Sequence, residues 1–138
     1  MEYRRILPSR IEDLWALQQL YKAEIGEAAP TDADKARLRD AMVQDRIRFY
    51  GAWEGEALMG CCSVTVGFST FDYGPSGVLE DFYIRPACRH TGVARRLIRL
   101  AHEDSGVTTL TVGCAACDLP LYRALGFTLP LGSLLAYE

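Results

Sequence analysis

The segment from Val78 to Ile98 constrains the fold of this chain more than any other. An apolar pattern typical of a strand runs from Val78 to Ile84, and a helix pattern follows after a short loop. The buried stripe of that helix is expected at Val93, Leu97, Leu100 and Ala101. Pro86 ends the strand, since proline cannot donate to a sheet ladder. A strand that leads into an amphipathic helix predicts a sheet covered by helices.

Comparable patterns along the chain predict the element order βααβββαβαβ. Strands are expected over residues 3–7, 46–53, 57–69, 78–84 and 107–112, with a last strand or hairpin from Phe127 and residues 134–137. Helices are expected up to Glu24, over 31–44, over 91–103 and over 118–125. Capping boxes are expected at Ser9 with Glu12 and at Thr31 with Asp34, and residues 72–77 (DYGPSG) are expected to be a loop. The order predicts a mixed α/β fold with helices on both faces of a central sheet.

Size and charge narrow the classes of protein that fit. The 138 residues contain no linker or repeat, so we expect a single domain over residues 1–138. A net charge of −3 argues against a general nucleic-acid binder. The longest weakly polar run, Ala57 to Phe68, is shorter than the ~20 residues of a membrane helix, and the N-terminal MEYRRILPSR lacks an apolar signal core. These features predict a cytoplasmic protein without a membrane partner.

The five cysteines offer two interpretations. Cys61 and Cys62 lie in an apolar strand pattern, where cysteine acts as a small hydrophobic residue. Cys114 and Cys117 have the spacing of a redox or metal pair, but the chain has only two histidines and no second pair. We therefore expect no metal, and a thiol-redox or metal protein stays a competing hypothesis.

The loop from Arg89 to Ala94, RHTGVA, is a candidate anion site. Backbone N–H groups at a helix start lack intrahelical partners and point toward one spot. Gly92 lets a ligand approach the backbone, and Arg89, Arg95, Arg96 and Arg99 add positive charge. We expect a pyrophosphate here. The alternative is a plain turn glycine beside a solvated basic face, because one such loop is weak evidence.

Two motifs give the chain a family resemblance. Arg89-x-x-Gly92-x-Ala94 resembles the Arg/Gln-x-x-Gly-x-Gly/Ala signature of the GNAT superfamily of acyl-CoA N-acyltransferases, and LYRALGF (Leu121 to Phe127) resembles its second motif. The strings LEDFYI and LYRALG are most similar to the diamine (spermidine/spermine) N-acetyltransferases. The resemblance implies a mostly antiparallel sheet, a possible homodimer, and direct acetyl transfer from acetyl-CoA to a primary amine of a small molecule or peptide.

The resemblance also implies roles for individual residues. Glu80 matches the position of the base, with Asp81 as its nearest competitor, and Tyr122 matches the position that protonates the departing thiolate. The cofactor-binding residues that it implies are Phe82, Tyr83 and Ile84 for the pantetheine and, for the pyrophosphate, the loop of Arg89, His90, Thr91, Gly92, Val93, Ala94 and Arg95.

One departure from the family pattern supports an alternative function. Ala115 stands where the family often has an Asn that contacts the cofactor, and Pro120 is expected to shorten the following helix. The alternative is a catalytically inactive acyl-CoA-binding sensor or partner subunit. Acceptor contacts are expected from Glu24, Glu27, Asp72 and Tyr73, and ordinary surface charge is an equally good interpretation of these four residues.

Overall fold

The computed structural model describes all residues from 1 to 138, as one five-stranded sheet with four α-helices. The strands are β1 (Glu2–Ile6), β2 (Ile47–Glu54), β3 (Ala57–Ser69), β4 (Gly74–Ile84) and β5 (Thr109–Val112). The helices are α1 (Ile11–Glu24), α2 (Asp32–Val43), α3 (Val93–Ser105) and α4 (Leu119–Ala124). None of these helices combines the length and the apolar character that crossing a bilayer requires.

The strands lie in sequence order, β1-β2-β3-β4-β5. All neighbouring pairs are antiparallel except β4 and β5, which are parallel and are connected through α3. A parallel pair needs a crossover that covers one face of the sheet, and α3 is that crossover. The prediction of a mixed, mostly antiparallel sheet is therefore confirmed.

The core has two parts, one on each face of the sheet. Cys61 and Cys62 are adjacent in β3 and fully buried, yet they belong to different clusters because successive side chains of a strand point to opposite faces. The cluster under α3 includes Leu97, and the cluster under α1 includes Leu14. Helices thus cover both faces, as the periodicity predicts, and these two cysteines act as small core residues.

One of the two predicted capping boxes is wrong. Ser9 lies in a short 3₁₀ turn (Pro8–Arg10), and α1 has Arg10 as its N-cap, without a side-chain hydrogen bond. The Arg10 N–H donates to the Leu7 carbonyl at 2.9 Å, so the turn already satisfies a donor at the point where the helix begins. The second box is confirmed, since the Thr31 hydroxyl accepts from the Asp34 N–H and the Asp34 carboxylate accepts from the Thr31 N–H.

Two further predictions differ from the structure. Strand β4 begins at Gly74, inside the expected loop 72–77, because residues 74–77 pair with β3 and extend the hairpin. The expected last strand at Phe127 and residues 134–137 does not form. Pro130 has no N–H to donate, and Gly132 has a φ of +105°, so this segment is poorly suited to a continuous ladder.

Candidate active site

Strands β4 and β5, the last pair at one edge of the sheet, separate partway along β4. Their pairing ends at Leu79 opposite Val112, while β4 continues to Ile84. The β5-facing edge of residues 80–84 therefore has no strand partner. Free N–H and C=O groups along such an edge can bind an extended chain of amides. Phe82, Tyr83 and Ile84, which the sequence predicts as cofactor-binding residues, lie on this open edge.

The loop before α3 ends in an uncapped helix N terminus. Gly92 is the N-cap residue with a φ of +87°, and it makes no side-chain capping bond. The Arg96 N–H donates to the Gly92 carbonyl at 3.3 Å, whereas the N–H groups of Val93, Ala94 and Arg95 donate to no protein acceptor. A Cβ built on Gly92 would meet nothing within 4 Å. These amides face open space, as an anion site requires.

Two arginines of this region are engaged within the protein. The Arg89 guanidinium donates to the Ile84 carbonyl at 2.8 Å and to the Glu24 carboxylate at 2.7 Å. The Arg95 guanidinium donates to the Ala124 carbonyl at 2.7 Å, at the end of α4. Their side chains thus connect α1, β4 and α4 around the loop, and the backbone amides are the groups that remain free for a ligand.

Tyr122 lies in α4 beside the open edge of β4. Its ring packs against Phe82 and Phe127, with centroid distances of 6.4 Å and 6.0 Å. Burial raises the pKa of Tyr122, and the neighbouring Tyr21 raises it further, so the phenol stays protonated at neutral pH. Its hydroxyl makes no hydrogen bond within the protein, and a protonated phenol in this position can donate to a departing thiolate.

The two candidate carboxylates of β4 differ in their surroundings. Glu80 is exposed and forms neither an ion pair nor a hydrogen bond. Asp81 is partly buried, has a φ of +51°, and accepts a hydrogen bond of 2.7 Å from the Ser63 hydroxyl. Sequence reasoning did not single out Ser63, although a serine within the apolar run of β3 is a polar residue at a core position.

The residues expected at the acceptor side separate into two groups. Glu24 pairs with Arg89, and Glu27 pairs with Lys22 at 2.9 Å, so both carboxylates are neutralised near the end of α1. The Asp72 carboxylate accepts from the Thr109 hydroxyl at 3.1 Å, at the β3–β4 turn. Asp72, with Tyr73 beside it, is nine residues from Asp81 along an extended hairpin arm, roughly 25 Å away. The structure therefore does not bring Asp72 and Tyr73 to the open edge.

The connector between β5 and α4 contains the two cysteines with metal or redox spacing and Ala115, which departs from the family pattern. Cys114 and Cys117 are exposed and not bonded to each other. Ala115 precedes a 3₁₀ turn (Ala116–Asp118), and Pro120 lies at the start of α4, which is only six residues long, as expected. The connector brings α4, with Tyr122, back against the open edge of β4.

A cavity of about 380 Å³ lies elsewhere along α3. It is lined by Arg95, Ile98, Arg99, His102, Leu110, Leu125, Gly126 and Phe127. The cavity contains neither the N-cap Gly92 nor a residue of the open edge of β4. We therefore place the candidate active site at the diverging strands, where free backbone groups and titratable side chains meet, rather than at this cavity.

The comparisons with known proteins point to one family. The profile of the GNAT acetyltransferase domain matches residues 45–129, and no curated protein matches significantly. The chain is similar to a solved probable acetyltransferase at 18% identity, with coverage of 100% of this chain and 99% of that one and a TM-score of 0.86. It is similar to a predicted acetyltransferase with acetyl-CoA from Clostridium acetobutylicum at 14% identity, with coverage of 99% and 95% and a TM-score of 0.78. An aminoglycoside acetyltransferase from an uncultured soil metagenomic sample, in complex with sisomicin, shares 15% identity, with coverage of 99% and 94% and a TM-score of 0.83.

Proposed function

Because the chain belongs to the GNAT acetyltransferase family, we propose that it transfers the acetyl group of acetyl-CoA directly to a primary amine of a small molecule or peptide. The observation that carries this proposal is the uncapped N terminus of α3 beside the unpaired edge of β4. The free amides at the N terminus of α3 can bind the pyrophosphate of the donor, and the unpaired edge of β4 can bind the amides of its pantetheine arm. The similar structure that contains acetyl-CoA supports the choice of donor.

The donor is proposed to run along the open edge toward α4. The amides that begin α3, from Gly92 to Arg95, receive the pyrophosphate within the loop from Arg89. The backbone of Phe82 to Ile84 receives the pantetheine amides. The thioester sulfur then lies near Tyr122, because the ring of Tyr122 packs on Phe82. This direction of binding brings the reacting carbon beside the carboxylates of β4.

The chemistry requires a base because an alkyl ammonium has a pKa near ~10.4 and is almost fully protonated at pH 7. A carboxylate of β4, either Glu80 or Asp81, accepts the proton from the ammonium. The free nitrogen forms a bond to the thioester carbon, the carbon–sulfur bond breaks, and its electron pair goes to sulfur. Tyr122 protonates this thiolate, and the resulting tyrosinate takes the second proton from the acylated nitrogen. Holding amine and thioester together supplies a further large share of the rate.

The acceptor is proposed to enter from the side of α1. The ring of Tyr21, in α1, lies edge-on to Tyr83 of β4 with a centroid distance of 6.4 Å, so α1 forms a wall beside the open edge. The uncompensated carboxylates there, Glu80 and Asp81, favour a cationic amine. One of the similar structures is an aminoglycoside acetyltransferase in complex with sisomicin. The diamine resemblance, the homodimer and the cytoplasmic location stay predictions.

The test is release of CoA from acetyl-CoA over a panel of mono-, di- and polyamines and lysine peptides, together with calorimetry of acetyl-CoA binding. We expect binding, and turnover with at least one amine. Tight binding without turnover for any amine would support the alternative of an acyl-CoA-binding module. Absence of binding would contradict both functions.

The matched pair Gly92→Asp and Gly55→Asp tests the anion site. Both glycines have positive φ and open space around a built Cβ, but Gly55 lies in the β2–β3 turn, away from α3. The added carboxylate at position 92 repels a pyrophosphate, so we expect affinity for acetyl-CoA to fall roughly 10-fold or more, since one tenfold step corresponds to about 1.4 kcal/mol. Gly55→Asp is expected to bind like the parent. Equal affinities for the two variants would place the donor elsewhere.

A further inference from the structure

Asp81 has an unusual backbone for a residue within a strand. Its φ of +51° lies in the left-handed region, which few residues other than glycine adopt. The register between β3 and β4 shifts here, so that Asp81 and Phe82 together stand opposite Cys62. A bulge of this kind redirects a side chain and is common beside active sites. The bulge turns the Asp81 carboxylate toward the face of the sheet that α1 covers, where it meets Ser63.

Ser63 gives the Asp81 carboxylate a defined orientation. Its side chain is fully buried in β3, and its hydroxyl donates to Oδ2 of Asp81 at 2.7 Å. A buried hydroxyl without a partner is destabilising, so this bond is strongly favoured. Oδ1 of Asp81 has no protein partner and remains able to accept a proton. Glu80, one residue earlier, has no group that would orient it.

The charge of Asp81 acts on the aromatic residues near the open edge of β4. Burial raises the pKa of Tyr21, and the charge of Asp81 raises it further, by more than that of Glu80 does. Tyr21 in turn raises the pKa of the partly buried Tyr122. The charged and titratable groups around Asp81 are Tyr21 and Lys22 of α1, Cys61 and Cys62 of β3, and its neighbour Glu80; Glu27 acts on Tyr21 and Lys22. Tyr21 therefore interacts electrostatically with both the Asp81 carboxylate and the Tyr122 phenol.

We propose that Asp81 is the catalytic base for the acceptor amine and that Ser63 is a positioning residue that orients its carboxylate. This inference rests on the proposed function. The ammonium proton goes to Oδ1 of Asp81, and the electron pair of that N–H bond stays on nitrogen. Nitrogen bonds to the acetyl carbon, the carbon–sulfur bond breaks, and sulfur takes the proton of Tyr122. The acylated nitrogen still carries one surplus proton, which goes to the tyrosinate of Tyr122 and leaves the neutral amide with a single N–H, and Asp81 releases its proton to water.

The experiment compares Asp81→Asn with Glu80→Gln, two neighbouring changes that each remove one negative charge. Asparagine adopts the left-handed region readily, so the bulge is retained. We expect kcat/KM at pH 7 to fall roughly 100-fold or more in Asp81→Asn, the usual share of a general base. Glu80→Gln keeps that base and removes only one of the charges that attract the amine, so we expect a smaller fall, below about 10-fold and mainly in KM. Affinity for acetyl-CoA, measured by calorimetry, is expected to be unchanged in both.

The pH profile separates a base from a structural residue. As the pH approaches the pKa of the amine, the free amine no longer needs a base, so the deficit of Asp81→Asn is expected to shrink at pH 9–10. A deficit that stays constant with pH would contradict the role of base. Ser63→Ala is expected to lower kcat roughly 10-fold, less than the roughly 100-fold or larger loss expected when the base itself is removed, with the same recovery at high pH.

Other results for the Asp81 and Glu80 variants also test whether Asp81 is the base. If Asp81→Asn fails to fold, as judged by its thermal melt, Asp81→Gly removes the carboxylate with a residue that is at ease at positive φ. Loss of activity in Glu80→Gln, with activity kept in Asp81→Asn, would assign the base to Glu80 and overturn the proposal. A parent protein that acetylates no amine contradicts the proposed function itself, whereas an active parent with an equally active Asp81→Asn contradicts only this inference.

Discussion

Tyr122 illustrates how the environment of one side chain sets its chemistry. Two aromatic rings, Phe82 and Phe127, exclude water from one part of the phenol, and this burial raises its pKa. The phenol therefore keeps its proton over the whole physiological range and loses it only above the ordinary tyrosine pKa near ~10. At the scale of the residue, packing keeps the phenol in the protonated form that the proposed role of proton donor requires.

We expect Tyr122→Phe to lower kcat roughly 100-fold, the lower end of general acid catalysis, because a thiolate with a pKa near ~8.5 already leaves without much help. Affinity for acetyl-CoA is expected to stay the same, since the ring is kept. Steady-state kinetics and calorimetry check this, with the fully exposed Tyr137→Phe as the control. Equal losses in kcat and in affinity would show that the hydroxyl has a structural role.

Glu80 and Asp81 show which differences between residues the sequence does not predict. Glu80 and Asp81 are adjacent and chemically alike, so motif position alone ranks them without separating their surroundings. The left-handed φ of Asp81 and its bond to Ser63 depend on a bulge between two strands. The spacing of residues does not predict such a bulge, because an alternating pattern assumes a regular strand.

At the scale of the element, the two capping boxes have the same sequence pattern and different outcomes. Thr31 and Asp34 exchange both bonds at the start of α2. Ser9 makes no capping bond, because Pro8 and Arg10 form a turn with it before α1 begins. A capping pattern is local, yet the residue at which a helix begins depends on how the preceding chain leaves the sheet.

We expect Thr31→Ala to lower the free energy of unfolding by about 1 kcal/mol, the usual contribution of an N-cap, and Ser9→Ala to have little effect. Urea unfolding at pH 7 measures both. The Thr31 N–H, donating to the Asp34 carboxylate, lowers the pKa of Asp34 below its ordinary value of 3.8. The stabilisation from this bond between the Thr31 N–H and the Asp34 carboxylate is complete above about pH 4. It is lost as the pH falls through the pKa of Asp34 in the folded state. A larger loss in Ser9→Ala than in Thr31→Ala would contradict the assignment.

At the scale of the whole molecule, Arg89 connects the two sides of the site. Its guanidinium bonds the end of β4 and the end of α1, and it lies over the ring of Tyr83 at 5.5 Å. The loop before α3 and helix α1, which are proposed to hold the donor and the acceptor, are therefore joined by one side chain. The conformation of this loop depends in this way on the position of α1.

A double-mutant cycle of Arg89→Ala and Glu24→Ala tests this connection. Both side chains are about a third to a half exposed, 34% and 48%, so solvent screens the pair. We expect a coupling free energy of about 0.2 to 1 kcal/mol from urea unfolding, decreasing as salt is added. Additive effects of the two changes, or a coupling that does not respond to salt, would contradict the ion pair.

The sequence by itself determined the mixed α/β class, the two covered faces of the sheet, the stripe of α3 and the glycine turn that opens it. These features depend on periodicity and on residues close together in the chain. Only the tertiary structure decided that β4 extends into the expected loop, that the last strand does not form, and which carboxylate meets a partner. Ser63 and Asp81 are 18 residues apart and Arg89 and Glu24 are 65 apart, so these contacts exist only once strands pair and helices pack.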